Sequence, residues 1–260
     1  MSSTLHAPQN RLLAALPRRD AKPVLDGCEP VELKFGQVLY EPDTRIRYAY
    51  FPTDSFISLM IPVDGTANLE VGLIGNEGML GSPLVLGVTA SPLRALVHGA
   101  GSALRMNAGV LLHELGQRLA LRRALHRYLH VRMIQLSQAA ACTRFHVVEQ
   151  RLARLMLMTQ DRAQMDEFHV THEFLAYMLG VRRVGVTKAA HALQARHLIR
   201  YHRGAVTILD RAGMEAASCG CYQADQDTYE GLLSAPKAVA NSVERSVREA
   251  NAEPIPAFAR

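Results

Sequence analysis

Cysteine is scarce in this chain, with 4 in 260 residues, and Cys28, Cys142, Cys219 and Cys221 keep no regular spacing, which excludes a disulfide-stapled secreted scaffold. Nowhere do about 18 apolar residues follow one another, which excludes a membrane-spanning helix, and no apolar run of signal-peptide length opens the sequence. A cytoplasmic protein with reduced thiols is expected. Catalytic signatures are missing as well. There is no G-x-S-x-G, no Walker A loop and no paired acid and base, so no enzyme is expected. His126 and His130 stand at i and i+4, a spacing that can hold zinc, yet Arg127 lies where a zincin needs glutamate and no third ligand is evident. Cys219-Gly220-Cys221 could be a metal or redox pair but has no second Cys/His pair at finger spacing. No metal site is expected, and the cysteines read as bystanders.

What is present is enough chain for two domains and a mild excess of positive charge. The 260 residues carry 29 Lys and Arg against 24 Asp and Glu, a formal net charge of +5. Between Cys142 and Tyr222 there are 11 basic and 7 acidic residues, so much of the excess falls in one segment. A polyanionic partner would meet the chain there.

Inside that segment, Thr171 to Asp210 predicts two short helices, a tight turn and a β-hairpin. Thr171 is a good N-cap and Glu173 places negative charge at the positive end of the helix. Phe174, Leu175, Met178 and Leu179 recur at helical spacing, and Gly180 supplies the left-handed residue that stops the helix. In the helix that follows, Val186, Ala189, Ala190 and Leu193 form a small apolar side. Arg183, Val184, Thr187, Lys188 and His191 fall on the opposite side, as a helix entering the major groove requires. Leu198–His202 and Ala205–Leu209 are β-prone runs joined by Arg203-Gly204, a two-residue hairpin turn. An ordinary αα-hairpin would share the first half of this pattern; the added wing separates the two readings.

The stretch Thr171-His172-Glu173-Phe174-Leu175-Ala176, followed by Leu179-Gly180-Val181-Arg182-Arg183-Val184-Gly185-Val186-Thr187-Lys188, resembles in register the winged helix-turn-helix of Crp/Fnr-type bacterial transcription regulators. The resemblance runs from Thr171 through Ile199. It implies double-stranded DNA as partner, a homodimer, and RNA polymerase as the further contact. Arg183 would read a guanine, with Thr187 and Lys188 reading or gripping neighbouring positions and His191 on the same basic side. Thr171, His172, Arg182 and Arg203 would hold phosphates. Two departures stand out: Val184 replaces the family's glutamate and Arg182 its usual serine. An isopropyl group can only touch a thymine methyl, so a half-site richer in thymine at that position is expected. The cysteine cluster with which Fnr-type oxygen sensors hold an iron–sulfur centre is absent from the N-terminal region, so no such cluster is expected.

Upstream, Asn10 predicts a cap for a short helix Arg11 to Leu16, and Asp20 a cap for another that Gly27 ends. Val31 to Met106 consists of short apolar runs broken by Gly, Pro, Asp and Asn, which favours an antiparallel β-sandwich or roll. This part resembles the family's cyclic-nucleotide-binding-like jelly roll, with Phe35 to Tyr40 matching an early strand pair and Asp64-Gly65 a hairpin. By that resemblance the effector pocket would use Gly75, Glu77, Gly78, Met79 and Arg94. Glu77 precedes its glycine where the family's glutamate follows one, and Pro92 stands at the family's phosphate arginine. A pocket degenerate for cyclic AMP, or built for another small effector, is therefore expected.

Leu111 to Ala141 returns to helical period. Leu121, Leu125, Leu129, Met133 and Leu136, continued by Ala140, form a stripe suited to a long dimerisation helix; burial of the same stripe on the chain's own β-roll is the alternative. The whole reads as an α+β protein: a β-roll domain over residues 1–110, connecting and dimerisation helices over 111–142, a winged helix-turn-helix over 143–222, and a flexible tail over 223–260. The expected function is sequence-specific transcriptional regulation; a ligand-binding regulatory protein of cyclic-nucleotide-domain type that does not act on DNA is the alternative.

Overall fold

The alternating runs pair as a two-layer antiparallel sandwich. In the computed structural model, which describes residues 10–63, 67–163, 166–202 and 204–233, two short helices come first, α1 (Arg11–Ala14) and α2 (Arg18–Asp26). Asn10 caps α1 by accepting the N–H of Leu13 at 3.1 Å. The second helix starts two residues before the expected Asp20 cap, after Pro17, and holds Asp20 in its first turn. The strands are β1 (Cys28–Leu33), β2 (Val38–Tyr40), β3 (Tyr48–Pro52), β4 (Phe56–Val63), β5 (Ala67–Ile74), β6 (Arg94–Gly99) and β7 (Gly101–Asn107). One sheet runs β1-β7-β3 and the other β2-β6-β4-β5. Phe51 and Ala49 of one layer, and Ile57 opposite Val97 in the other, are all fully buried. Strand β6 alternates buried and half-buried residues, the period-two pattern of a strand with one face in a core, while β3 is buried on both faces. The expected hairpin at Asp64-Gly65 lies outside the described residues.

Two helices then close the sandwich. Asn107 accepts the N–H of Gly109 at 2.8 Å and starts α3 (Ala108–Gln117), after which α4 (Leu119–Phe145) runs for 27 residues. The break between them is Arg118, whose backbone is extended. Its side chain pairs with Glu114 of α3 and with Asp20 of α2, which ties the joint to the N-terminal helices. The kink lets both helices lie on one core, to which Leu111 contributes from α3 and Leu121, Leu125, Tyr128 and Val131 from α4.

The expected dimer stripe is therefore split. Leu121 and Leu125 are fully buried in the chain's own core, because this half of α4 covers the sandwich. Met133 and Leu136 are 66% and 48% exposed, Ala140 is exposed, and Leu129 is half-buried at the boundary.

The remainder is the winged unit: α5 (Val148–Ala163), β8 (Glu167–His169), α6 (His172–Leu179), α7 (Arg183–Ala195), β9 (Ile199–His202), β10 (Ala205–Ile208), α8 (Arg211–Ala217) and α9 (Cys221–Leu233). The strands form a sheet in the order β8-β10-β9, one strand more than the hairpin expected. Asp210 caps α8 through Gly213, as its position predicts. The expectation of a flexible tail from residue 223 is corrected by α9, which packs along α4 and buries Tyr222, Asp225 and Tyr229. Those inward positions keep helical spacing but are aromatic and acidic, so no aliphatic period marks them. Residues 234–260 lie outside the described ones.

This unit docks on the sandwich at named points. Phe174 of α6 stacks on His98 of β6 with ring centroids 3.6 Å apart, and Arg162 of α5 pairs with Glu77 at 2.9 Å. The Tyr229 hydroxyl donates to the carbonyl of Glu77.

Candidate nucleic-acid interface

The Thr171 hydroxyl accepts the N–H of Phe174 at 3.1 Å, which starts α6 and leaves the hydroxyl proton free to donate outward. Gly180 ends the helix with φ +62, a backbone state that costs glycine nothing. Three residues later α7 begins. Its inner side is the predicted one: Val186, Ala190 and Leu193 are fully buried and Ala189 nearly so, against Leu175 and Leu179 of α6 and Leu152 and Met156 of α5. Each large aliphatic group buried this way contributes roughly 1.5–3 kcal/mol.

On the outer side Arg182, Arg183, Lys188 and His191 are exposed, and Val184 is 65% exposed among them. A row of long cations with one bare isopropyl group faces solvent along a single helix. Thr187 behaves differently. Its hydroxyl meets the carbonyl of Arg183 and Nδ1 of His172, both at 3.1 Å, so it is engaged within the protein. His172 in turn stacks on Tyr201 of β9 at 4.4 Å, and burial lowers its pKa, with Arg183 and His191 adding repulsion. Both residues fasten α7 to the start of α6 and to the wing. Arg203 lies outside the described residues, while Gly204 beside it turns at φ +87 where a side chain would strike His169.

Residues 150–217 match the family described as the Crp-like helix-turn-helix domain. They belong to it. Solved structures extend the likeness over most of the chain. The c-di-GMP responsive global regulator CLP of Xanthomonas campestris is 15% identical, with TM-score 0.60 over 74% of this chain and 99% of that one. FixK2 of Bradyrhizobium japonicum is 12% identical, with TM-score 0.63 over 74% and 98%. A transcriptional regulator of the CRP family from Thermus thermophilus, TTHB099, is 18% identical, with TM-score 0.60 over 72% and 96%. No curated protein matches the chain in sequence. The β-roll, long helix and helix-turn-helix thus share the fold of these solved structures, and residues 150–217 carry the match to a Crp-like helix-turn-helix.

Within this Crp/Fnr architecture the expected effector residues do not converge. Glu77 faces α5, where it holds Arg162 and accepts the N–H of Gly75 at 3.1 Å. The Gly78 carbonyl accepts the amide of Asn10 at 2.8 Å, and a side chain at Gly78 would collide with Tyr128. Met79 is fully buried in the core. Arg94 sits on β6 and pairs with Glu41 at 3.3 Å. The cavity beside Glu77 measures about 40 Å³, does not include Arg94, and is too small for a nucleotide. Glu77 is one of the residues through which the winged unit docks on the sandwich.

A larger groove of about 540 Å³ lies between β5 and helices α4, α5 and α6. Leu69, Val71, Leu136, Leu155, Met158 and Met178 give it an apolar wall.

Three of the four cysteines, expected to be bystanders, come together with a histidine. Cys142 and His146, one turn apart at the end of α4, meet Cys219 and Cys221 from the link between α8 and α9, and one ligand atom from each lies within 4.8 Å of all the others. The readable signal was Cys142 and His146 at i and i+4; what hid it was the separation of 73 residues from the second pair. His126 and His130 are both exposed and are not part of this group.

Proposed function

We propose that the protein is a sequence-specific DNA-binding transcription regulator of Crp/Fnr type that acts as a homodimer in the cytoplasm. The observation that carries this reading is the exposed ridge of Arg182, Arg183, Val184, Lys188 and His191 on α7, presented within a Crp-like helix-turn-helix and flanked by a wing. Arg183, at the first position of α7, is the side chain able to fork onto a guanine edge, and Lys188 lies five residues on, at the other edge of the exposed face. Thr171, with a hydroxyl proton to spare, and Arg182 suit phosphates; Arg203 is assigned to phosphate by its place in the wing turn. His172 and Thr187 position α7. Val184 puts a methyl contact where a carboxylate would accept a hydrogen bond from cytosine, which favours thymine there.

The homodimer follows from the half of α4 that the sandwich leaves uncovered, where Met133, Leu136 and Ala140 continue the stripe from Leu129. A twofold partner along this seam would present two α7 helices to one duplex. RNA polymerase is the further partner this reading implies. An effector pocket degenerate for cyclic AMP belongs to this reading, and the pairing of Glu77 with Arg162 and of Arg94 with Glu41 supports it. A regulatory protein that never touches DNA would have no use for an exposed cationic ridge on a helix-turn-helix.

Selection from a random duplex pool tests the proposal. The expected result is a two-part site with thymine favoured at one position of each half. Arg183→Ala should cost about 1–3 kcal/mol and relax one base position. Arg183→Glu combined with Lys188→Glu should abolish retention. Unchanged affinity and sequence preference in that double variant would end the reading.

A further inference from the structure

Three thiols and an imidazole meet in a cluster, the thiols buried, that the DNA-reading surface does not use. Cys142, Cys219 and Cys221 are 2%, 4% and 2% exposed and form a cluster of their own, apart from the aliphatic cores. Cys142 Sγ lies 3.5 Å from Cys219 Sγ, and Cys221 Sγ lies 3.4 Å from His146 Nδ1. A zinc ion with bonds near 2.3 Å to sulfur spaces its tetrahedral ligands about 3.8 Å apart, so these separations need only a slight opening. Iron–sulfur clusters hold several metal atoms between their thiolates and require a wider set.

The surroundings are those of bound thiolates. The amide of Gln138 donates to Cys221 Sγ at 2.9 Å, the kind of outer hydrogen bond that orients a metal ligand. Cys221 opens α9, where the helix N-terminus favours negative charge. Behind Cys142 lies Arg154, 8% exposed and paired with Asp225 of α9. A divalent ion binding here would displace the thiol protons to solvent.

We propose that Cys142, His146, Cys219 and Cys221 are the four ligands of a closed tetrahedral site for a single zinc ion. With every position filled by protein, the site leaves none open for catalysis and is structural. The ion ties the last turn of α4, at the joint leading to α5, to the link between α8 and α9. Arg154 and Asp225 add a second tie from α5 to α9. The direction in which α4 hands on to the winged unit is then fixed by coordination rather than by packing alone.

The test uses the full-length reduced protein, purified without chelators. Elemental analysis should find one equivalent of zinc per chain. Cobalt(II) added after zinc removal should give the visible bands of a tetrahedral ion and a near-ultraviolet thiolate charge-transfer band. Cys219→Ser should lose most of that band and Cys28→Ser should change nothing. His146→Cys, which keeps four ligands, should retain a tetrahedral spectrum at shifted wavelengths and so separates ligand loss from misfolding. Gln138→Ala should weaken metal binding by about 10- to 100-fold. Absence of a thiolate–cobalt band in the reduced wild-type protein would overturn the site, as would a Cys142–Cys219 disulfide in the isolated protein whose reduced form takes up no metal. None of these readouts involves DNA, so they stand or fall apart from the regulator reading.

Discussion

Gly185 is the third residue of α7, among side chains that all face solvent or core for a reason, and the space around it is nearly empty. A methyl group there would meet only Val181 Cγ2, at 3.9 Å. Nothing inside the protein requires glycine, so Gly185→Ala should stabilise the fold by up to about 1 kcal/mol in a urea titration. Should duplex affinity fall in the same variant, the glycine serves close approach to the sugar-phosphate backbone. His172 and Thr187 illustrate the opposite case. Their residue types suited phosphate and base contacts, yet the tertiary structure engages them with each other, and a propensity argument has no access to such a pairing.

At the scale of single elements, α4 is the instructive one. Its apolar stripe is continuous in sequence and divided in space, because the sandwich covers only its first turns. Leu121→Ala should cost about 2–5 kcal/mol of stability through the cavity it opens, without changing association. Met133→Glu with Leu136→Glu should leave the melting of the chain nearly unchanged and convert dimers to monomers in sedimentation. The reverse pattern would assign the exposed half to something other than a twofold partner. The α9 helix escaped the sequence reading for a related reason: Tyr222, Asp225 and Tyr229 face inward to make specific polar contacts, and hydrophobic period does not detect a face of that kind.

For the molecule as a whole, the contacts that seat the winged unit on the sandwich govern its response to acid. His98 is stacked on Phe174 and edged by Phe35, and burial lowers its pKa from 6.5 to about 4. The unfolded or undocked chain then binds more protons than the docked one between these values. The stability His98 contributes is complete above pH 6.5 and is lost as pH drops toward 4. His98→Phe keeps the ring and removes the titration, so its melting temperature should decline less over that interval than the wild type's, with the two curves parallel above about pH 7. Equal slopes would place the acid sensitivity elsewhere. Glu77 and Arg162 pair at the same joint.

Local rules sufficed for much of this protein. The Thr171 cap, the Gly180 stop, the buried and exposed sides of α7 and the alternating strands follow from period, capping and backbone freedom, all of which act within a few residues. What only the tertiary structure decided were the meetings of distant residues: which half of α4 is covered, where Glu77 turns, and how Cys142 and His146 come to face Cys219 and Cys221. Such contacts depend on how whole elements dock, and docking is set by the summed shape of two surfaces that no short window of sequence contains.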